Sequence, residues 1–273
     1  MIMIYQAQIT SLGAYLPERK VTNHELEKKL DVTSDWIEKR CGIKTRYWAN
    51  NEESTSDLAL KASCQAIERA KFNKHELDMI ILATVTPDHE FPGTACFLQE
   101  KLGIKHCPVI DIRQQCTGFI FALLQAEQAI SCGRAKNVLV VSAELHSKCL
   151  DLTPRGKNVS ILFGDGAAAC LVQRGESGHK EKGKILDITV HSDGSQAKLL
   201  WCPAPGTGFA SDQRIDNSML DEALCFPHMD GRQVYSYALE HMEQTVRELC
   251  TRNSLNLSDL DHIFFHQANL RIK

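Results

Sequence analysis

Two side chains in this sequence could do covalent chemistry together, a cysteine and a histidine. Cys116 follows the apolar run Cys107-Pro108-Val109-Ile110-Asp111-Ile112 and precedes Thr117-Gly118-Phe119, which opens a helical pattern. A nucleophile on a strand-to-helix turn stands exposed at the strand's end, as in the nucleophile elbow of hydrolases. The positive end of the helix favours an anion, so this placement predicts a lowered thiol pKa and more thiolate. Gly118 lets the backbone come close. His266 ends the apolar run Ile263-Phe264-Phe265 and begins His266-Gln267-Ala268-Asn269-Leu270-Arg271. Polar residues at the carboxyl end of a buried strand are where open α/β sheets place ligand chemistry. A histidine near a cysteine could act as a base or a hydrogen-bond donor. Both residues also have a plainer reading, Cys116 as a small core hydrophobe and His266 as a structural residue at a strand end.

The elements that must position them alternate along the chain. Ser54 to Phe72 reads as a helix, Asp78 to Val85 as a buried strand, and Gly93 to Leu102 as a helix. Cys107 to Ile112 reads as a strand, Thr117 to Cys132 as a helix rich in alanine and leucine, and Asn137 to Ser142 as a strand. This alternation predicts a layered α/β fold with buried strands. Ser160 to Val172 is apolar but interrupted by Gly164-Asp165-Gly166, a turn or a tight backbone approach. Composition then shifts over Arg174 to Lys184, where Gly175, Gly178 and Gly183 lie among charges, a junction between two halves. A faint repeat supports that division. A helix followed by Leu77-Asp78-Met79-Ile80-Ile81-Leu82 is echoed by a helix from Gly231 to Arg252 followed by Leu260-Asp261-His262-Ile263-Phe264-Phe265. Leu-Asp before a strand is common, so coincidence stays open as the other explanation.

The chain has 273 residues, 43% hydrophobic and 24% charged, which is enough apolar material for a large core. A formal net charge of -3 gives no sequence-wide affinity for nucleic acid or for anionic membranes. No apolar run reaches the length of a membrane span, and Met1 to Leu12 lacks the features of a signal peptide. Eleven cysteines without a C-x-x-C pair argue against a metal site, and the odd count in a long chain argues against a secreted disulfide framework. A reducing cytoplasm is the expected setting.

At the residues that carry chemistry, the chain resembles a known family. Gln115-Cys116-Thr117-Gly118-Phe119, Phe163-Gly164-Asp165-Gly166-Ala167-Ala168 and His266-Gln267-Ala268-Asn269-Leu270-Arg271-Ile272 together resemble β-ketoacyl-acyl-carrier-protein synthase III, a condensing-enzyme family of the thiolase fold. Asp35-Trp36-Ile37-Glu38-Lys39-Arg40-Cys41-Gly42-Ile43, Phe91-Pro92 and His191-Ser192-Asp193-Gly194-Ser195 add to the match, which runs from about Ile9 to the last residue. The resemblance implies an α/β five-layer fold of two similar halves. Residues 1–174 would be the half carrying the nucleophile, and residues 175–273 the second half, incomplete here. It implies a homodimer without a resident cofactor, with coenzyme A thioesters as substrates. Cys116 would take an acyl group from an acyl-coenzyme A. Malonyl-acyl carrier protein would then lose carbon dioxide, attack the acyl-cysteine and leave as a β-ketoacyl thioester, the first step of fatty acid synthesis.

The same resemblance assigns roles by position. His266 matches the histidine that donates a hydrogen bond to the thioester oxygen, and the Cys116 N–H matches one half of an oxyanion hole. Trp36 and Arg155 match the pair that sandwiches adenine, and Arg40 a phosphate contact. Gly231, Tyr235 and Asn269 match the pantetheine tunnel, with Tyr235 in place of the usual phenylalanine and Arg232 in place of an asparagine. Phe91 matches a residue lent across the dimer interface, and Arg271 a basic residue that docks the acidic carrier protein. Gln114-Gln115 before the cysteine, with His146-Ser147 downstream, looks more like members that take longer or unusual acyl groups. The family's asparagine, glycine-rich oxyanion loop and last strands belong after the position of Lys273, so the sequence as given is expected not to complete the condensation. Two rival readings remain: acyl transfer from acyl-coenzyme A in specialised metabolism, and a truncated, inactive binder of acyl-coenzyme A.

Overall fold

The computed structural model describes residues 5–175, 183–208, 214–215 and 217–272. In chain order the elements are β1 (Ala7–Tyr15), β2 (Arg19–Thr22), α1 (Asn23–Leu30), α2 (Ser34–Cys41), β3 (Thr45–Trp48), α3 (Thr55–Arg69), β4 (Met79–Ala83), α4 (Thr94–Leu102) and β5 (Val109–Ile112). They continue as α5 (Gly118–Ser131), β6 (Asn137–Leu145), α6 (Lys157–Ser160), β7 (Asp165–Arg174), β8 (Leu200–Trp201), α7 (Asn217–Asp221), β9 (His228–Met229) and α8 (Gly231–Arg252). The chain forms two compact units, each gathered from separate stretches: residues 1–19, 47–145 and 165–190, and residues 20–46, 146–164 and 191–273.

The first unit is built on a five-stranded sheet in the order β1-β7-β6-β4-β5. β4 runs parallel to both β5 and β6, while β7 pairs antiparallel with β6 and with β1. Side chains alternate along the strands. Ile80 and Leu82 of β4 pack with Leu58, Ala59 and Ala62 of α3 and Leu98 of α4. Ile81 and Ala83 pack instead with Ala122, Ala126 and Ile130 of α5. The central strands are therefore apolar on both faces, which is why they read as continuous hydrophobic runs rather than alternating ones.

The predicted elements of this unit are found, all but β6 trimmed at their ends. β5 begins at Val109 because Pro108 has no N–H to give, although its carbonyl accepts from Ile80 at 3.0 Å. β6 runs to Leu145, three residues beyond the expected end at Ser142. The interrupted run around Gly164-Asp165-Gly166 divides into α6 and β7, and buried Asp165 accepts the Ala49 N–H at 2.7 Å. Most of the expected junction between Arg174 and Lys184 lies outside the described residues.

In the second unit, α8 spans the predicted Gly231 to Arg252, capped by the Asp230 carboxylate on the Gln233 N–H at 3.1 Å. The expected strand Ile263-Phe264-Phe265 is not formed. A strand needs a ladder partner for its N–H and C=O groups. Among the described residues no strand pairs with this segment, and Ile263 and Phe264 are 45% and 85% exposed. Apolar periodicity alone does not supply that partner. None of the described helices is long and apolar enough to cross a membrane.

β1 packs closely on α3 at Gly13. A methyl group at Gly13 would lie 2.2 Å from the Ala62 carbonyl oxygen and 2.6 Å from the Ala66 nitrogen, both helix backbone. Gly13→Ala is therefore expected to lower stability by about 1–3 kcal/mol, the usual range for overpacking a close-packed interior. Urea denaturation followed by circular dichroism measures it, and an unchanged midpoint would show that α3 can move off the sheet at little cost.

Candidate active site

The turn carrying Cys116 is pinned on both sides. Upstream, the Asp111 carboxylate of β5 accepts the Thr94 and Ala95 N–H groups at 2.6 and 2.8 Å, which ties β5 to the first turn of α4. A side chain at Gly93 would strike that carboxylate at 2.5 Å. Burial raises the Asp111 pKa, and the two amides only partly oppose this. Downstream, a Cβ on Gly118 would come within 3.0 Å of Ala83 Cβ, so glycine lets α5 start directly against the end of β4. Between these anchors the chain makes a 3₁₀ turn over Gln115–Thr117, with the Thr117 N–H and hydroxyl both donating to the Gln114 carbonyl at 3.2 and 2.9 Å. Gln115 has φ 44°, a left-handed conformation uncommon outside glycine, immediately before the cysteine. Such backbone persists where the surroundings over-determine it.

Cys116 is exposed by surface area, yet its thiol is poorly solvated. Burial raises its pKa first and the nearby Glu144 charge second, while only its own backbone N–H favours the thiolate. This corrects the expectation of a lowered pKa. The start of α5 is present as predicted, but desolvation and a carboxylate outweigh it. Glu144, near the end of β6, is a residue that sequence reasoning missed. Its signal was there: a carboxylate interrupting the apolar run Asn137-Val138-Leu139-Val140-Val141-Ser142-Ala143-Glu144-Leu145. It accepts the Val85 N–H at 3.0 Å and the Thr86 hydroxyl at 2.8 Å, and burial drives its pKa to about 7 against those hydrogen bonds.

Phe91 shares the first unit with Cys116 and is 77% exposed. The remaining predicted residues, Trp36, Arg40, Arg155, Gly231, Tyr235, His266, Asn269 and Arg271, belong to the second unit. There the structure gathers five of them, Trp36, Arg40, Tyr235, Asn269 and Arg271. The Asn269 side-chain amide donates to the Arg40 carbonyl at 3.4 Å and accepts the Arg271 N–H at 3.0 Å. The Arg271 guanidinium donates to the Lys39 carbonyl at the end of α2, and the Tyr235 hydroxyl donates to the Arg271 carbonyl at 3.0 Å. The Arg40 guanidinium lies over the Trp36 ring, 5.6 Å from its centroid. Arg155 is held differently, by the Asp151 carboxylate at 2.7 Å and by the Asp221 carbonyl at 2.9 Å. Gly231 is the first residue of α8. His266 lies in irregular backbone rather than at a strand end; its ring is exposed by area, but desolvation holds its pKa below the ordinary value.

A mixed sheet with helices on both faces, presenting a cysteine on the turn after β5, defines an α/β protein of thiolase-like fold, and the comparisons agree. Residues 110–194 match the family described as 3-oxoacyl-[acyl-carrier-protein (ACP)] synthase III. A β-ketoacyl-[acyl-carrier-protein] synthase III of Sulfurovum sp. is 40% identical over 97% of this chain and 76% of its own length. That of Caldanaerobacter subterraneus subsp. tengcongensis is 41% identical over 97% of this chain and 77% of its own. Among solved structures, 3-oxoacyl-[acyl-carrier-protein] synthase III from Aquifex aeolicus superposes with a TM-score of 0.85 at 37% identity, covering 97% of this chain and 78% of that one. The priming β-ketosynthase of the R1128 polyketide pathway gives a TM-score of 0.82 at 28% identity, over 100% of this chain and 77% of its own. The chain belongs to the β-ketoacyl-acyl-carrier-protein synthase III family.

The Asp151–Arg155 pair yields a pH prediction. Burial pushes the Asp151 carboxyl up, but hydrogen bonds from Arg155 and Thr153 outweigh it and hold the pKa below the ordinary value. A carboxylate whose pKa is lowered by folding stabilises the fold above its unfolded pKa, and that contribution is lost as pH falls through the folded pKa. Asp151→Asn should therefore destabilise the protein most near neutrality, and the difference should close below about pH 4. Urea midpoints of both proteins across pH 2–8 measure this. A gap that persists at acid pH would mean that shape, not charge, makes Asp151 matter.

Proposed function

We propose that this chain supplies the nucleophile and substrate sites for the condensation of an acyl-coenzyme A with malonyl-acyl carrier protein, which gives a β-ketoacyl-acyl carrier protein at the entry to fatty acid synthesis. Family membership supports the reaction class. The observation that carries its assignment to residues is the place of Cys116, on a doubly anchored turn between the carboxyl end of β5 and the first residue of α5.

In this reading the Cys116 sulfur gives up its proton and attacks the thioester carbonyl. The carbon–sulfur bond to coenzyme A breaks, and coenzyme A leaves as its thiol. The N–H of Cys116 faces the oxygen that becomes negative, the kind of preorganised donor that supplies much of such catalysis. Malonyl-acyl carrier protein then loses carbon dioxide, and the electron pair of that bond becomes the carbanion that attacks the acyl-cysteine. The carbon–sulfur bond to Cys116 breaks, and the released thiolate takes a proton from solvent to restore the thiol. His266 takes the role of hydrogen-bond donor to the malonyl thioester oxygen. Its lowered pKa supports this, since a neutral imidazole donates a hydrogen bond without adding a charge to a poorly solvated site. Trp36 and Arg155 are assigned to adenine, Arg40 to a phosphate, and Gly231, Tyr235 and Asn269 to the pantetheine arm. Arg271 is assigned to the carrier protein. No resident cofactor enters the scheme.

A homodimer belongs to the same proposal. Phe91, which matches a residue lent across the dimer interface in the family, is 77% exposed here. A cytoplasmic setting fits eleven free cysteines.

Intact mass and peptide mapping after incubation with a panel of acyl-coenzyme A donors test the assignment. A single acyl adduct is expected on Cys116 and none on the Cys116→Ala variant. Trp36→Ala and Arg155→Ala should each weaken coenzyme A binding by about 1–3 kcal/mol, the usual worth of a lost stacking face. An adduct on another cysteine would overturn the nucleophile, and unchanged affinity in both variants would place adenine elsewhere.

A further inference from the structure

Glu144 takes no part in the proposed acyl transfer, yet it is built into the same edge of the sheet as Cys116. Ser142 of β6 pairs with Ala83 of β4, and Ala83 pairs in turn with Ile112 of β5. The three parallel strands thus come level in one row, and three groups lie just beyond it at one edge of the sheet. Glu144 stands two residues past Ser142 on β6, Val85 and Thr86 stand past the end of β4, and the Cys116 turn stands past the end of β5. The Glu144 carboxylate accepts the Val85 N–H at 3.0 Å and 3.3 Å through its two oxygens, and the Thr86 hydroxyl at 2.8 Å. Thr86 Oγ1 accepts the Leu145 N–H at 2.8 Å, which closes the link between the two strand ends. This is a costly place for a carboxyl group if its only use is to fasten two strands, because neutral side chains could make similar hydrogen bonds.

The other acids on the neighbouring elements are committed elsewhere. Asp111 of β5 is spent on the α4 amides. Asp165 of β7, opposite Leu145, takes the Ala49 N–H. Glu144 is the carboxylate whose charge bears on the Cys116 sulfur.

We propose that Glu144 is a positioning residue of the nucleophile's turn: it fastens the end of β4 to β6, and through its own negative charge it sets how readily Cys116 forms a thiolate. The role of that thiolate in acyl transfer rests on the proposed function; the coupling between the two groups does not. Glu144 titrates near pH 7. On the acid side it is neutral and leaves the thiol unopposed. On the alkaline side its charge holds the sulfur protonated, and so disfavours an idle thiolate while leaving an acylated, uncharged sulfur undisturbed.

The test is the rate of iodoacetamide alkylation at Cys116, resolved by peptide mass spectrometry in the full chain from pH 6 to 11. Glu144→Gln keeps the side chain's shape and removes its charge, so its Cys116 profile should move to lower pH. Glu52→Gln, which removes an exposed carboxylate of the same unit, should leave the profile in place. Circular dichroism checks that each variant is folded. If Glu144→Gln does not fold, the wild-type profile decides alone. Ionisation of Glu144 should make the logarithm of the rate climb less steeply around pH 7 than on either side. A folded Gln variant with an unmoved profile, or a wild-type profile of constant slope through pH 7, would overturn the proposal. Failure of Cys116 to accept an acyl group would leave this readout intact, so the two failures are distinguishable.

Discussion

Strand β4 is apolar on both faces and hydrogen-bonded along both edges, and the site depends on that constraint. Ile80 and Leu82 are committed to α3 and α4, Ile81 and Ala83 to α5, and the ladders to β5 and β6 leave no freedom of register. A slip of one residue would turn every side chain to the opposite helix layer. The carboxyl ends of β4, β5 and β6 are therefore fixed to one another by core packing and by these ladders. The Cys116 turn, the Val85–Thr86 segment and Glu144 inherit their positions from that packing.

The electrostatics of the edge come from the same burial. A thiol at the start of a helix is helped toward its anion by the helix's positive end. Here the poor solvation of the sulfur and the charge on Glu144 act in the other direction and prevail. The resting site therefore favours neutral sulfur. A neutral thiol is also the form less open to oxidation.

Much of the first unit was legible because its signals are local. Continuous apolar runs bounded by glycine, proline or charge marked β4, β5 and β6, and the strand-to-helix change around Cys116 located the turn itself. Two things were not legible. The direction of the Cys116 pKa depends on Glu144, which is close in space but far along the chain, and on solvation that no spacing rule reports. The Ile263–Phe265 segment has the composition of a strand, but whether such a run pairs depends on a partner that periodicity does not supply. In the second unit, Trp36, Arg40 and Asn269 were chosen by motif. That Arg40 covers the Trp36 ring, and that Arg155 is held by Asp151, are facts of side-chain packing with no linear signature.

The anchors on either side of Cys116 differ in what they forbid. Asp111 is tied to α4 through two amides, and Gly118 is seated against Ala83, so the backbone between them spans two points that cannot move apart. Gln115 already takes a left-handed conformation to make that span. Apart from Cys116, side chains along this stretch can be exchanged, because few of them are buried. The number of residues cannot, because one more or one fewer would rotate the sulfur away from the sheet edge. For the lineage of this turn, drift in composition is cheap and drift in length is closed.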